Sequence, residues 1–178
     1  KSIFTIDLGR TRKDILNYFP QIAEVKVSRG FFDAINIVVI ERQALAVWCG
    51  ETCFLLDKEG IIFEEVLEIK SGLLLIKTES GLGKLGERVI EKELLSQVFE
   101  IKTQLEGNAG IPVKEAFLVS EERINLKTLE GWEIYFNLKG DLVWQITELK
   151  LVLEKQISPG QRDKLSYIDL RFSRVYYK

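Results

Sequence analysis

The sequence predicts an α+β fold: a helix and a β-hairpin, then a mostly antiparallel β domain carrying two amphipathic helices. Three observations predict it. Short runs of alternating apolar and polar residues recur along the chain, separated by glycine or acidic turns. Two longer segments repeat apolar residues at steps of three and four. The strands follow one another as hairpins, so a repeated βαβ series is not the pattern.

The elements follow in order. Thr11 with Asp14 three residues later predicts a helix start, and Pro20 stops the helix, which then runs from Arg12 to about Tyr18. Ile22–Arg29 alternates, with Val25 and Val27 on one face and Lys26 and Ser28 on the other. Gly30 turns the chain. Ile35–Glu41 returns with Ile35, Ile37 and Val39 on one face and Asn36, Val38 and Ile40 on the other, so only part of it is expected to be wet. One short helix and an isolated hairpin make a thin core, and this unit is expected to have lost an element upstream. Ala44–Trp48, Phe54–Asp57 and Ile61–Phe63 are joined by tight turns and predict a meander; Leu73–Thr78 is a further strand and Ser80–Gly86 a glycine-rich loop.

From Glu87 to about Gln104 the longest helix is expected, striped by Ile90, Leu94, Val98, Ile101 and Leu105 and ended by Gly107-Asn108-Ala109-Gly110. Val113–Val119, Arg123–Thr128 and Trp132–Phe136 read as three successive strands. A second amphipathic helix carries Leu142, Ile146, Leu149 and Leu153 and ends before Ser158-Pro159-Gly160. Tyr167–Tyr177 reads as one long last strand. The boundary between the two units falls near Glu41–Gln43, giving residues 1–41 and 42–178.

Composition removes several function classes. Net charge is −2, with no basic excess to attract nucleic acid. Histidine is absent, which excludes His-based triads and His-ligated zinc. No metal site and no cofactor is expected. No stretch approaches the roughly 20 apolar residues of a membrane helix. A chain that starts at Lys1 and has no methionine reads as a segment of a longer protein.

Several motifs invite a chemical reading. Gly81-Leu82-Gly83-Lys84-Leu85-Gly86 matches G-x-G-x-x-G between a strand and a helix, where a dinucleotide phosphate could rest on helix N–H groups. Against it, Glu87 would repel a phosphate. Cys49 and Cys53 flank a three-residue turn. They either bridge in an oxidising compartment or stand as two half-buried thiols. Glu64-Glu65 and Glu121-Glu122 are adjacent pairs that point to opposite faces, so they form no acid–base pair. The tail alternates Tyr167, Asp169, Arg171 and Ser173 with Ile168, Leu170, Phe172 and Arg174. Aromatics and arginine are enriched where proteins dock, and a terminal strand at a sheet edge can accept a partner strand.

Three stretches carry a resemblance. Phe19-Pro20-Gln21-Ile22-Ala23-Glu24-Val25-Lys26-Val27-Ser28-Arg29 is a proline-led strand. Ile35-Asn36-Ile37-Val38-Val39-Ile40-Glu41-Arg42-Gln43-Ala44-Leu45-Ala46-Val47-Trp48 continues to Leu56-Asp57-Lys58-Glu59-Gly60-Ile61-Ile62-Phe63. Tyr167-Ile168-Asp169-Leu170-Arg171-Phe172 closes the set. In this order they resemble the extracytoplasmic part of the FtsQ/DivIB family of bacterial division proteins. Leu45 stands where that family usually has proline, and Phe172 where it usually has tyrosine.

The resemblance implies a truncated POTRA domain over residues 1–41, followed by the family's β domain over 42–178. It implies a single-pass membrane protein with this segment on the extracytoplasmic side. It further implies a non-enzymatic divisome scaffold that binds FtsB/DivIC- and FtsL-type partners by strand addition at the C-terminal edge. Tyr167, Ile168, Arg171 and Phe172 are then the docking candidates, with Arg174 added as a cation for a partner carboxylate. The rival readings are a POTRA-containing assembly or secretion factor and a nucleotide-binding enzyme built on Gly81, Gly83 and Gly86.

Overall fold

The computed structural model describes residues 5–69, 72–79 and 83–178. Helix α1 (Leu8–Tyr18) precedes a two-stranded antiparallel sheet of β1 (Ile22–Arg29) and β2 (Ile35–Glu41). Both strands lie where the sequence places them. The helix starts earlier than Thr11 suggests, because Asp7 is the cap: its carboxylate accepts from the Gly9 and Arg10 N–H groups at 2.9 and 3.0 Å. The Thr11 hydroxyl donates back to the Asp7 carbonyl instead. β2 is wetter than expected, with Ile37, Val38, Val39 and Ile40 all exposed.

The predicted meander is β3 (Ala46–Cys49), β4 (Cys53–Leu56) and β5 (Ile62–Glu65). β6 (Leu74–Thr78) lies parallel to β3 on its other side. Helix α2 (Lys92–Asn108) crosses over to β7 (Val113–Ser120), which is parallel to β6. β8 (Arg123–Thr128) and β9 (Glu133–Asn137) continue antiparallel. Helix α3 (Leu142–Lys155) and one turn, α4 (Pro159–Arg162), lead to β10 (Tyr167–Asp169), parallel to β9. β11 (Tyr176–Tyr177) folds back antiparallel on β10. The order across this nine-stranded sheet is β11-β10-β9-β8-β7-β6-β3-β4-β5.

The two amphipathic helices supply the crossovers that parallel neighbours require. Both pack on one face of the sheet. Leu95, Val98, Ile101 and Leu105 of α2 and Ile146, Leu149, Val152 and Leu153 of α3 join Trp48, Ile76, Ile124, Ile134, Phe136 and Ile168 in one buried cluster. α2 begins at Lys92, not Glu87. Residues 86–89 are committed elsewhere: the Gly86 N–H donates to the Ile62 carbonyl at 2.7 Å, Ile62 N–H to Glu87 at 3.1 Å, and Val89 N–H to Gly60 at 2.9 Å. This segment covers the start of β5, at Ile61 and Ile62. Ile90, just before the Glu91 N-cap, and Leu95 at the fourth helical position are both buried in the core, the spacing of a hydrophobic staple.

The opposite face of the sheet is largely open. At the β3–β4 end, Val47, Cys49, Leu55 and Phe63 form a second small cluster. Cys49 and Cys53 are cross-strand partners, and they are disulfide-bonded. Of the two possibilities left open for these cysteines, the bridge is the one formed. It closes a very short loop, so its expected contribution is about 2 kcal/mol. The Cys49→Ser/Cys53→Ser double variant should lose about that amount in denaturant unfolding, and a reductant should act likewise on the parent chain only.

Arg42 ties the small sheet to the large one. Its N–H donates to the Gln21 carbonyl at 2.8 Å, its Nε to the Pro20 carbonyl at 2.9 Å, and its Nη1 to an Asp57 carboxylate oxygen at 2.5 Å. The other Asp57 oxygen accepts from Glu59 N–H and Ile61 N–H, both at 2.9 Å, fixing the turn between β4 and β5. The Arg42 side chain is 12% exposed and that of Asp57 5%.

Candidate partner-binding site

The expected single strand over Tyr167–Tyr177 is two short strands. Three residues pair as β10; the chain then turns over Leu170–Val175 and returns as β11. Local electrostatics make the turn. The Asp169 carboxylate accepts from the Arg171 N–H at 3.1 Å, from its Nε at 2.8 Å and from its Nη2 at 2.6 Å. β10 is therefore internal, between β9 and β11, and the sheet margin belongs to β11.

The sequence-derived residues divide accordingly. The Ile168 side chain is completely buried among the core residues, so no partner reaches it in the free chain. Tyr167 stacks on Tyr135, with ring centroids 5.2 Å apart and 9° between planes. The Arg171 guanidinium, paired with Asp169, also lies over the Tyr135 ring at 5.5 Å and the Phe172 ring at 5.3 Å. Arg123 covers Tyr135 at 5.0 Å. Phe172 is exposed and meets Tyr176 edge-on at 5.9 Å. Arg174 is exposed. The structure thus brings Tyr167, Arg171 and Phe172 into one aromatic and cationic cluster on the open face, built around Tyr135.

Charge in this cluster is internally matched. Burial pushes the Asp169 carboxyl up, but the Arg171 hydrogen bonds outweigh burial and hold it below the usual aspartate value. Burial, with Glu133 adjacent, pushes the Tyr135 hydroxyl up, so it stays protonated at neutral pH.

Of the single edge strand expected over Tyr167–Tyr177, only the β11 end lies at the margin. Lys178 and Tyr167 exchange backbone bonds, Lys178 N–H to Tyr167 O at 3.2 Å and Tyr167 N–H to Lys178 O at 3.3 Å. In an antiparallel pair such exchanges alternate. The main-chain groups of Tyr177, and of Val175 beyond it, therefore point away from β10, and no described strand pairs with them. Val175 packs against the core, while Tyr176 and Tyr177 are exposed. The usable signal was Asp169-x-Arg171: opposite charges two apart share a strand face and pair with each other.

The glycine-rich motif offers less. Gly81 and Leu82 lie outside the described residues, as does Ser80. In the part described, Lys84 N–H donates to the Glu87 carboxylate at 2.9 Å and Gly86 N–H to Ile62, so neither is free to hold a phosphate. A Cβ on Gly83 would meet Val89 at 2.4 Å, which gives this glycine a packing role. A cavity of about 540 Å³ is lined by Trp48, Leu94, Leu118 and Leu138 among others and includes no tail residue. Among the described residues no helix is long and apolar enough to cross a membrane.

Comparison with known proteins gives the kinship. The family described as "Cell division protein FtsQ/DivIB, C-terminal" matches residues 46–171, from the first strand of the large sheet to the Asp169–Arg171 turn. Cell division protein FtsQ of Neisseria gonorrhoeae is 26% identical over 156 residues, covering 86% of this chain and 58% of the relative. Cell division protein DivIB of Clostridium acetobutylicum is 26% identical over 179 residues, covering 96% of this chain and 68% of the relative. FtsQ of Aliivibrio fischeri is 24% identical over 175 residues, covering 96% and 61%. The chain thus spans about three-fifths of the length of the two FtsQ relatives. With the matched region running from β3 through β10 and into the turn that follows it, this chain belongs to the FtsQ/DivIB family of cell division proteins.

Proposed function

We propose that the chain is a non-enzymatic docking module of the division machinery. It binds FtsB/DivIC- and FtsL-type partners, mainly by accepting a partner strand alongside β11. The observation that carries this is the outward-facing main chain of Val175 and Tyr177 at the sheet margin. The docking edge thus narrows from the whole of Tyr167–Tyr177 to its β11 end. Phe172, Tyr176 and Arg174 flank that edge and supply side-chain contacts. Tyr167 and Arg171 act one strand back, holding β10 and its turn in place. Ile168 serves from within the core.

Extracytoplasmic placement is part of this reading. The Cys49–Cys53 disulfide supports it, because such bridges persist in oxidising compartments. The first 41 residues are proposed to be the later part of a POTRA domain. A strand that exposes Ile37, Val38, Val39 and Ile40 on both faces suits a sheet meant to have a further neighbour.

Tyr177→Pro tests the docking edge. It removes an outward N–H without removing a β10–β11 bond, a position where an edge strand tolerates proline. Titration with the extracytoplasmic segment of the FtsB/DivIC-type partner should show affinity reduced about tenfold or more, with thermal unfolding unchanged. Unchanged affinity in the folded variant overturns strand addition.

A further inference from the structure

The hairpin tip between β3 and β4 carries chemistry that the docking edge does not use. Cys49 is the last residue of β3 and Cys53 the first of β4, so the disulfide spans the mouth of the turn over Gly50, Glu51 and Thr52. The two sulfurs do not stand alike. Cys49 is 6% exposed and belongs to the apolar cluster of Val47, Leu55 and Phe63. Cys53 is only partly buried and packs at the rim of that cluster, at the end of a turn whose Gly50 and Glu51 are exposed.

Thiol–disulfide exchange needs access to one sulfur, and the other sulfur leaves. A thiolate arriving from the turn reaches Cys53, whereas Cys49 is walled by side chains. The strands do not depend on the bond for their places. β3 lies between β6 and β4, and β4 between β3 and β5, all joined by backbone pairing. Ala46, Trp48, Phe54 and Leu56 are held in the main core on the other face. Opening the bond therefore leaves the two cysteines opposite each other in register, with Cys49 in surroundings that suit a neutral thiol. Cys49 is then the nearest nucleophile to any mixed disulfide on Cys53. It expels a monothiol and re-forms the original bond, so a reactant goes forward when it carries its own second thiol.

We propose that Cys49–Cys53 is a thiol–disulfide exchange site of the folded chain, entered at Cys53, whose reactant is a dithiol. One thiolate of the dithiol attacks the Cys53 sulfur. The Cys49–Cys53 bond breaks, and its electron pair leaves on Cys49, which takes a proton. The second thiolate of the dithiol attacks its own partner sulfur in the mixed disulfide and releases Cys53, which takes the other proton. The chain gains two electrons and two protons, and the dithiol is oxidised to an internal disulfide. β3 stands six places along the sheet from β11, and exchange there requires nothing of the docking edge.

Dithiothreitol acting on the intact chain is the first test. Without denaturant, the rate of bond opening, read by acid quench, thiol labelling and mass spectrometry, should rise in proportion to dithiothreitol and pass the unfolding rate extrapolated from urea. A rate that levels off at the unfolding rate overturns the proposal. At matched thiol concentration 2-mercaptoethanol should open the bond about tenfold more slowly or less, and equal rates overturn the dithiol requirement. Single variants test the entry point. In the folded chains, iodoacetamide should alkylate Cys53 of Cys49→Ser about tenfold faster than Cys49 of Cys53→Ser, and the two rates should converge in urea. Equal rates in the folded chains overturn entry at Cys53.

Discussion

Arg42→Met should cost about 3–5 kcal/mol, because it leaves the Asp57 carboxylate buried without its cation. In a chain of this size that lowers the melting temperature by roughly 10 °C. The effect should be larger than loss of the visible hydrogen bonds alone suggests. Arg42 also holds the Pro20 and Gln21 carbonyls, so the small sheet loses its fixed attachment along with the ion pair. Adding Asp57→Leu tests the cause. If the stranded charge dominates, the double variant is more stable than Arg42→Met by denaturant unfolding, even though it also loses the two turn bonds of Asp57. A double variant weaker than the single by the full cost of Asp57→Leu alone would show the two sites to be independent.

Arg171→Ala should be the other large effect, costing about 3 kcal/mol at neutral pH. The Asp169 side chain is only 9% exposed, and its three bonds to Arg171 are what keep its carboxyl below the ordinary value. The sign follows. A lowered folded-state value means that the pair's contribution is complete above about pH 4 and is lost as pH falls through the folded value below that. Without the Arg171 side chain two of the three bonds go, while the backbone N–H bond and nearby Arg123 remain, so the Asp169 value rises relative to the parent's. The variant's deficit relative to the parent should therefore grow as pH rises from the parent's folded value and level off above the variant's own. Urea titrations of both chains across that range check this, and a deficit that is flat with pH would assign Arg171 a packing role only. The same experiment separates structure from docking. Any loss of partner affinity in Arg171→Ala must be judged against the Tyr177→Pro variant, which leaves the pair intact.

Most of the architecture was legible because local rules and tertiary needs agreed. β1, β2 and β8 keep their predicted bounds, since alternation and turn residues specify them together. The two amphipathic stretches were recognisable from their stripes, and the sheet uses each as a crossover. The failures lie where distant partners intervene. Glu87–Ile90 has helical periodicity, but β5 takes its backbone as an edge cover, so α2 waits until Lys92. At the start of α1, Thr11 fits a capping pattern with Asp14, but the Asp7 carboxylate caps two N–H groups at once and sets the helix start four residues earlier.

At the tail, alternation identified Ile168 and Leu170 as one face, and both are buried. It could not tell that the strand stops at Asp169, because that depends on a salt link folding the chain back. For the same reason it grouped Phe172 and Arg174 with the buried residues of a strand that had already ended. Tyr135 and Arg123, from other strands, were invisible as members of the cluster because sequence order says nothing about which strands become neighbours.

The segment laid against β5 has a consequence for assembly. A strand arriving at the start of β5 would first have to displace residues 86–88, which already hold Ile62. The two borders of the sheet are thus unequal, and β11 is the less obstructed of them.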